Sequence, residues 1–105
     1  MAVDNPDVVD IISIDPSGGV VLTISDHLDW IDSISHQSIL QAKINRYLAF
    51  VESGEILDRY PKARGRRVVI RVVSQCEPDA EGHGFFERAK DSLAQAGFEF
   101  MWRQF

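Results

Sequence analysis

The feature that most constrains the fold of this chain is the run Val-Val-Ile-Arg-Val-Val at positions 68–73. Val and Ile are favoured in strands because their branched side chains pack well on a pleated surface. A strand with so little alternation between apolar and polar residues is typical of one that is covered on both sides or lies inside its sheet. We therefore predict that these residues form the central strand.

Two further apolar runs, residues 8–14 and 20–24, flank the break Asp15-Pro16-Ser17-Gly18-Gly19. Proline fixes φ for a turn and glycine allows the positive φ that a tight reversal needs, so the break suits a connection between antiparallel strands. The pattern predicts a β-hairpin. In its second strand alternate residues should face the core, namely Val20, Leu22 and Ile24.

The apolar spacing then changes from two residues to about 3.6, which indicates a helix. Its predicted apolar stripe is Leu40, Ile44, Tyr47, Leu48 and Val51, with Lys43 among the residues of the polar surface. Either Ser33 or Ser35 is expected to cap the start of the helix, and Gly54 is placed to end it. A short helical turn is expected over residues 55–60.

A second amphipathic helix is predicted after Pro78, with Asp79 as its N-cap and Gly97 at its end. Aromatic residues at positions 98, 100 and 102 then alternate with polar or less bulky ones, which predicts a last strand with one strongly apolar face.

These segments predict one α+β domain over residues 1–105, in the order β-β-α-β-α-β, with a four-stranded sheet and two helices packed on one face. A chain of 105 residues is too short for a second core. We expect disorder only at the termini, in particular over residues 1–6.

Three segments carry a resemblance to a known family: residues 3–10, Ser25-Asp26-His27-Leu28-Asp29-Trp30, and residues 60–70, which read Tyr-Pro-Lys-Ala-Arg-Gly-Arg-Arg-Val-Val-Ile. Together they resemble a family of small uncharacterised bacterial proteins that is classed as a domain of unknown function. The resemblance covers nearly the whole chain. It implies a bacterial cytosolic protein of compact α+β type, and it brings no activity, cofactor or catalytic residue.

Composition favours a cytoplasmic protein, because the chain has one cysteine, no apolar run long enough to span a bilayer, and no signal-type N-terminus. The net charge of −5 is unevenly distributed: residues 1–35 carry −7, residues 36–71 carry +5, and residues 72–105 carry −3. This segregation permits attraction between the acidic hairpin and the basic middle segment, or between two copies of the chain. The simpler interpretation is that the charges occupy solvated faces.

The end of the second predicted strand is the best candidate for a small-molecule site, with Asp26 and His27 converging there and Trp30 forming one wall. Carboxylates and imidazoles serve as acid/base groups and metal ligands, and Asp29, Asp32 and His36 lie nearby in sequence. No spacing matches a known metal signature, so no metal ligand is assigned. The alternative is structural: the aspartates serve turns and helix caps, while His27 and Trp30 pack together, with the indole N–H bonded to a carbonyl.

Other chemical motifs are weaker, and no catalytic residue or cofactor is predicted. Cys76 and His83 lack a third group to orient a base, so we expect a structural role for Cys76. Gly82 and Gly84 leave N–H groups at a helix start, a place that suits anions, but their spacing is not that of a phosphate loop.

The basic loop, residues 62–67, contains Arg64, Arg66 and Arg67 and raises the question of nucleic-acid binding. Its charge is modest, and the many acidic residues elsewhere would repel a polyanion. We expect these side chains to solubilise the loop or to pair with the acidic hairpin.

Three functions therefore stay open. The first choice is a non-catalytic binding or protein-interaction module, which binds an unidentified protein partner or a second copy of itself through its aromatic last strand. The second is a small enzyme or metal-dependent site around Asp26 and His27, and the third is RNA binding through the basic loop. No interaction with a membrane is expected.

Overall fold

A computed structural model describes residues 11–104 of the chain, apart from the side chain of Ile11. The expected disorder of residues 1–6 and the beginning of the first predicted strand, residues 8–10, lie outside the described residues.

The elements follow the predicted order β-β-α-β-α-β, with one short helix added. They are strands β1 (Ile11–Ile14) and β2 (Val20–Asp26), helices α1 (Ser33–Glu52) and α2 (Glu55–Arg59), a 3-10 turn (Pro61–Ala63), strand β3 (Val68–Ser74), helix α3 (Ala80–Gln95) and strand β4 (Glu99–Gln104). Helix α2 is the short helical turn expected after Gly54. Within the described part of the chain, no helix combines the length and the apolar character needed to cross a bilayer.

The four strands form one sheet in the order β1-β2-β3-β4, so β3 lies inside the sheet as its β-branched run predicts. Strands β1 and β2 are antiparallel, whereas β2, β3 and β4 are parallel to one another. Asp26 is in register with Ser74, and Ser74 with Gln104. The carboxyl ends of the three parallel strands therefore meet at one edge of the sheet.

The core lies between the helices and one face of the sheet. The predicted inward residues of β2, which are Val20, Leu22 and Ile24, are fully buried. They belong to one cluster with residues of all three helices and with Ile70, Val72 and Phe100 of the neighbouring strands. Because strand side chains alternate, the intervening residues occupy the other face, which we call the second face of the sheet. It carries Thr23, Arg71 and Met101, together with the residues two positions before and after each of them on the same strand.

The ends of the long helices are set by aspartates and glycines. The N-cap of α1 is Asp32, whose side chain accepts a hydrogen bond from the Ser35 N–H, so neither predicted serine is the cap. The Ser33 hydroxyl instead donates to Asp79 at 3.1 Å. Asp79 caps α3 as predicted, and Gly54 and Gly97 follow α1 and α3 with φ of 84° and 91°.

The prediction that Lys43 lies on the polar surface is wrong, because this side chain is fully buried. Its ammonium lies 5.5 Å from the centre of the Tyr47 ring. Residues 36, 40, 43, 47 and 50 recur every three or four positions and are all buried, so position 43 lies within the inward stripe. The aliphatic stem of lysine allows it to occupy such a position.

Candidate functional site

The predicted site residue Asp26 is the last residue of β2, where it is almost completely buried at 2% exposure. Its Oδ1 accepts the Leu28 N–H at 3.2 Å, which turns the chain away from the strand. Its Oδ2 lies 2.6 Å from Nε2 of His36 and accepts a longer hydrogen bond, 3.4 Å, from the Ser74 hydroxyl. Both carboxylate oxygens are therefore occupied within the protein.

His36 comes from the first turns of α1 and is also only 2% exposed. Its Nδ1 lies 2.9 Å from the carbonyl oxygen of Asp29, which can only accept, so Nδ1 carries a proton. A second proton then lies between Nε2 and Asp26 Oδ2, either as an imidazolium with a carboxylate or as a neutral imidazole with a carboxylic acid. In both forms the pair fixes the 27–35 connection to the end of the sheet.

The hydrogen-bonded network extends through the sheet to β4. The indole N–H of Trp102 donates to the Ser74 hydroxyl at 2.9 Å, and Ser74 in turn contacts Asp26. Strands β2, β3 and β4 and helix α1 therefore share one polar network at the carboxyl edge of the sheet. Because its central groups are buried, this network suits a structural role better than acid/base catalysis on a substrate.

Trp30 lies in the core beside this network. Its ring stacks on the His36 ring with a centroid separation of 3.7 Å, and it meets Phe86 edge-on. His27, by contrast, is exposed, so the partner of Trp30 is His36 rather than His27. The Trp30 Nε1 is buried with no hydrogen-bond partner among the described residues, so the expected bond to a carbonyl is not seen.

A pocket of about 350 Å³ opens on the second face of the sheet, next to the same carboxyl edge. It is lined by residues of β2, β3 and β4 and of the segments that follow β2 and β3, and we call it the second-face pocket. Its lining residues are Thr23, Ser25, Asp26, His27, Arg71, Val73, Gln75 and Arg103. The predicted residues Asp26 and His27 are thus brought together here, whereas Trp30 is not part of the lining.

Two arginines give the second-face pocket its electrostatic character. Arg71 is half-buried and donates one hydrogen bond, from Nη2 to the Thr23 hydroxyl at 3.0 Å. Its Nε is buried without a hydrogen-bond partner among the described residues. Among residues 11–104, neither Arg71 nor Arg103 forms an ion pair with a carboxylate. The pocket therefore holds two guanidinium groups that no described acidic group neutralises.

A comparison with protein-family models identifies the chain. The model described as "Family of unknown function (DUF6572)" matches residues 1–105. The chain belongs to the DUF6572 family. This agrees with the resemblance to an uncharacterised family, although the match does not address bacterial origin. No curated protein and no solved structure matches the chain significantly.

The basic loop of this DUF6572 protein is largely engaged within the fold. Arg66 donates to the backbone carbonyls of Lys62 and Gly18. Arg67 contacts Asp15 of the hairpin turn at 3.6 Å and Glu99 of β4 at 2.5 Å. The pairing of this loop with the acidic hairpin is therefore seen at Arg67. Arg64 is exposed and keeps its guanidinium available.

Cys76 and the residues at the start of α3 have contacts within the described part of this DUF6572 protein. Cys76 is half-buried against the core cluster. The exposed His83 meets the Trp102 ring edge-on. The Gly82 N–H donates to the Asp79 side chain at 2.8 Å and is not left open for an anion. No group of three or more metal-ligating side chains occurs in the described residues.

The arginines of the second-face pocket were missed as site residues at the sequence level. A single sequence signal pointed to one of them: Arg71 is the one charged residue in the run at positions 68–73. Such a residue in an internal strand needs a polar environment on one face. Arg103 carried no comparable signal, because it lies in a segment with alternating polar residues.

Proposed function

We propose that this chain is a non-catalytic binding module that takes a small oxyanion, a carboxylate or phosphate group, in the second-face pocket. The observation that carries the proposal is the half-buried Arg71, whose guanidinium has one hydrogen-bond partner, Thr23, among the described residues. The other N–H groups of this guanidinium have no acceptor among the described residues, and an oxyanion in the pocket can accept from them. The planar guanidinium matches the geometry of carboxylate and phosphate oxygens.

The surroundings of Arg71 support the same ligand class. Arg103 adds a second positive charge, and the Thr23 and Ser25 side chains add hydroxyl groups that can donate to an anion. The pocket lies at the carboxyl ends of parallel strands, which is where open α/β sheets bind ligands. Asp26, also among the lining residues, has its carboxylate held by Leu28 and His36, so it is not free to act as a base.

The two other functions have less support. An enzyme built around Asp26 and His27 would need both side chains at the substrate, but Asp26 is buried in its pair with His36, so the exposed His27 would act without it. RNA binding needs a free basic surface, and Arg66 and Arg67 already have intramolecular partners. Bacterial origin and a cytoplasmic location stay predictions of the resemblance and of the composition.

Thermal melts in the presence of anions test the proposal. Inorganic phosphate and succinate are added on the order of 10 mM at constant ionic strength, with chloride as the reference. We expect one oxyanion to raise the Tm of the wild type, since a ligand at about one hundred times its Kd adds about 2.7 kcal/mol.

Arg71→Gln should abolish this increase, and Arg103→Gln should reduce it. Arg64→Gln is the matched control, because Arg64 is an exposed arginine outside the pocket, and it should respond as the wild type does. Equal responses of Arg71→Gln and the wild type would refute the site. The absence of any oxyanion effect on the wild type would refute the proposed function.

A further inference from the structure

Strand β4 forms one edge of the sheet. Its neighbour within the described residues is β3, and its other side pairs with no described strand. The strand has six residues, Glu99–Gln104, and contains no proline. The backbone N–H and C=O groups along a free edge are ready to pair with another strand. The edge is therefore a candidate interaction surface, and its side chains decide which partner it fits.

The side chains of β4 have a symmetrical arrangement around Met101. On the second face of the sheet, acidic Glu99 and basic Arg103 lie two residues to either side of Met101, and all three are exposed. On the helix face, Phe100 and Trp102 lie one residue to either side. When the strand is read in the opposite direction, the acidic and basic residues exchange places, and so do the two aromatic residues. A sequence of this kind is complementary to its own reversed copy.

We propose that β4 pairs antiparallel with β4 of a second copy of this chain, across a two-fold axis that passes through Met101. In this register Glu99 lies opposite the partner's Arg103, and Arg103 lies opposite the partner's Glu99. Met101 faces the partner's Met101, and Phe100 faces the partner's Trp102. Opposite charges and aromatic pairs at directly opposed positions each stabilise an antiparallel pair. The result is one continuous eight-stranded sheet.

The charges select this register over its neighbours. Directly opposed residues share a face of the sheet, so the partner strand can slide only by two residues at a time. A slide of two residues in one direction places Glu99 opposite the partner's Met101. A slide of two residues in the other direction places Arg103 opposite the partner's Met101. Both slides lose the two ion pairs. The half-exposed Met101, at 50%, also becomes covered in the central register.

This inference rests on β4 and not on anion binding. Arg103 takes part in both proposals, whereas Glu99 lies outside the lining of the second-face pocket and Arg71 lies outside β4, so Glu99→Arg and Arg71→Gln test the two proposals separately. Sedimentation equilibrium of the full chain, at concentrations on the order of 10–100 µM, should give the mass of a dimer. Glu99→Arg and Arg103→Glu should each weaken the dimer at least about tenfold, because each creates two like-charge pairs in the interface. Arg64→Glu is a control that reverses an exposed charge outside β4 and should leave the dimer intact.

The decisive measurement mixes the two charge-reversed variants. Arg103→Glu has two acidic residues flanking Met101 and Glu99→Arg has two basic ones, so an equal mixture should form a one-to-one heterodimer. Its formation also shows that both variants fold. Since Glu99→Arg removes the contact with Arg67, Arg67→Gln is the control for that loss and should stay dimeric. A monomeric wild type would overturn the inference, as would a dimer that both reversals leave intact or a mixture that stays monomeric.

Discussion

His36 Nε2 lies 2.6 Å from Oδ2 of Asp26, and each residue is only 2% exposed. The contact joins the end of β2 to the start of α1 and fixes the connection between them. Removing one partner of a buried pair leaves the other with an uncompensated polar group or charge. We therefore expect the pair to have a large effect on stability.

The first prediction concerns this pair. Asp26→Ala and His36→Ala should each lower the free energy of unfolding by roughly 3–5 kcal/mol, as breaking a buried pair does. The double variant should lose clearly less than the two single losses combined, because the residues interact directly. Asp26→Asn is the conservative variant: its amide can keep the Leu28 bond and donate to a neutral His36, so its loss should be smaller than that of Asp26→Ala. Urea unfolding measures all four, and additive losses would contradict the coupling.

The second prediction concerns the aromatic face of β4. Phe100 is 8% exposed and its ring stacks on Phe86 with centroids 6.1 Å apart. Phe100→Ala should therefore cost roughly 3–5 kcal/mol. Ile31→Ala is the control, because Ile31 is a large apolar residue that is 90% exposed. Its replacement should lower the free energy of unfolding by less than about 1 kcal/mol. A loss below about 1 kcal/mol for Phe100→Ala in urea melts would show that this residue does not pack in the core.

The third prediction compares two glycines of α3. A Cβ at Gly82 would lie 2.8 Å from the Trp30 ring and 2.9 Å from Cβ of Pro78, whereas at Gly84 its nearest neighbour is the flexible end of Arg88 at 3.3 Å. Gly82→Ala should cost about 1–3 kcal/mol through overpacking. Gly84→Ala should be neutral or stabilise by up to about 1 kcal/mol, since alanine favours the helix. Chemical unfolding of the two variants checks this, and equal stabilities would contradict the close packing at Gly82.

The fourth prediction concerns acid stability at the hairpin turn. The Ser17 hydroxyl, the Gly19 N–H and the nearby Arg67 hold the pKa of Asp15 below its ordinary value of 3.8. A group whose pKa is lowered in the folded state stabilises the fold at pH values above its ordinary pKa. That contribution is lost as the pH falls through the lowered pKa. Asp15→Asn should therefore lose less Tm than the wild type between about pH 5 and pH 2.5. Asp91→Asn, at an exposed position of α3, is the control and should follow the wild type; an unchanged acid response of Asp15→Asn would contradict the prediction.

Local sequence patterns were sufficient for the secondary structure and for the main inward faces. The β-branched run placed β3 inside the sheet, and the alternation of Val20, Leu22 and Ile24 identified a buried face. Asp79 and Gly97 marked the ends of α3. These features depend on residues within a few positions of one another, so periodicity and capping chemistry determine them. Residue type alone predicted the wrong burial for Lys43, because its position in the inward stripe of α1 decided that the side chain is buried.

The sequence by itself determined an α+β domain of one core, its element order and the region near Asp26 as a place of interest. The tertiary structure alone decided what that region contains. Asp26 meets Ser74 across 48 positions of sequence, and Thr23 meets Arg71 across the same separation. Such contacts follow from the register of parallel strands, and register depends on how distant apolar faces pack together. The buried Asp26–His36 pair, the two arginines of the second-face pocket and the position of β4 at the edge of the described sheet all arise from that packing.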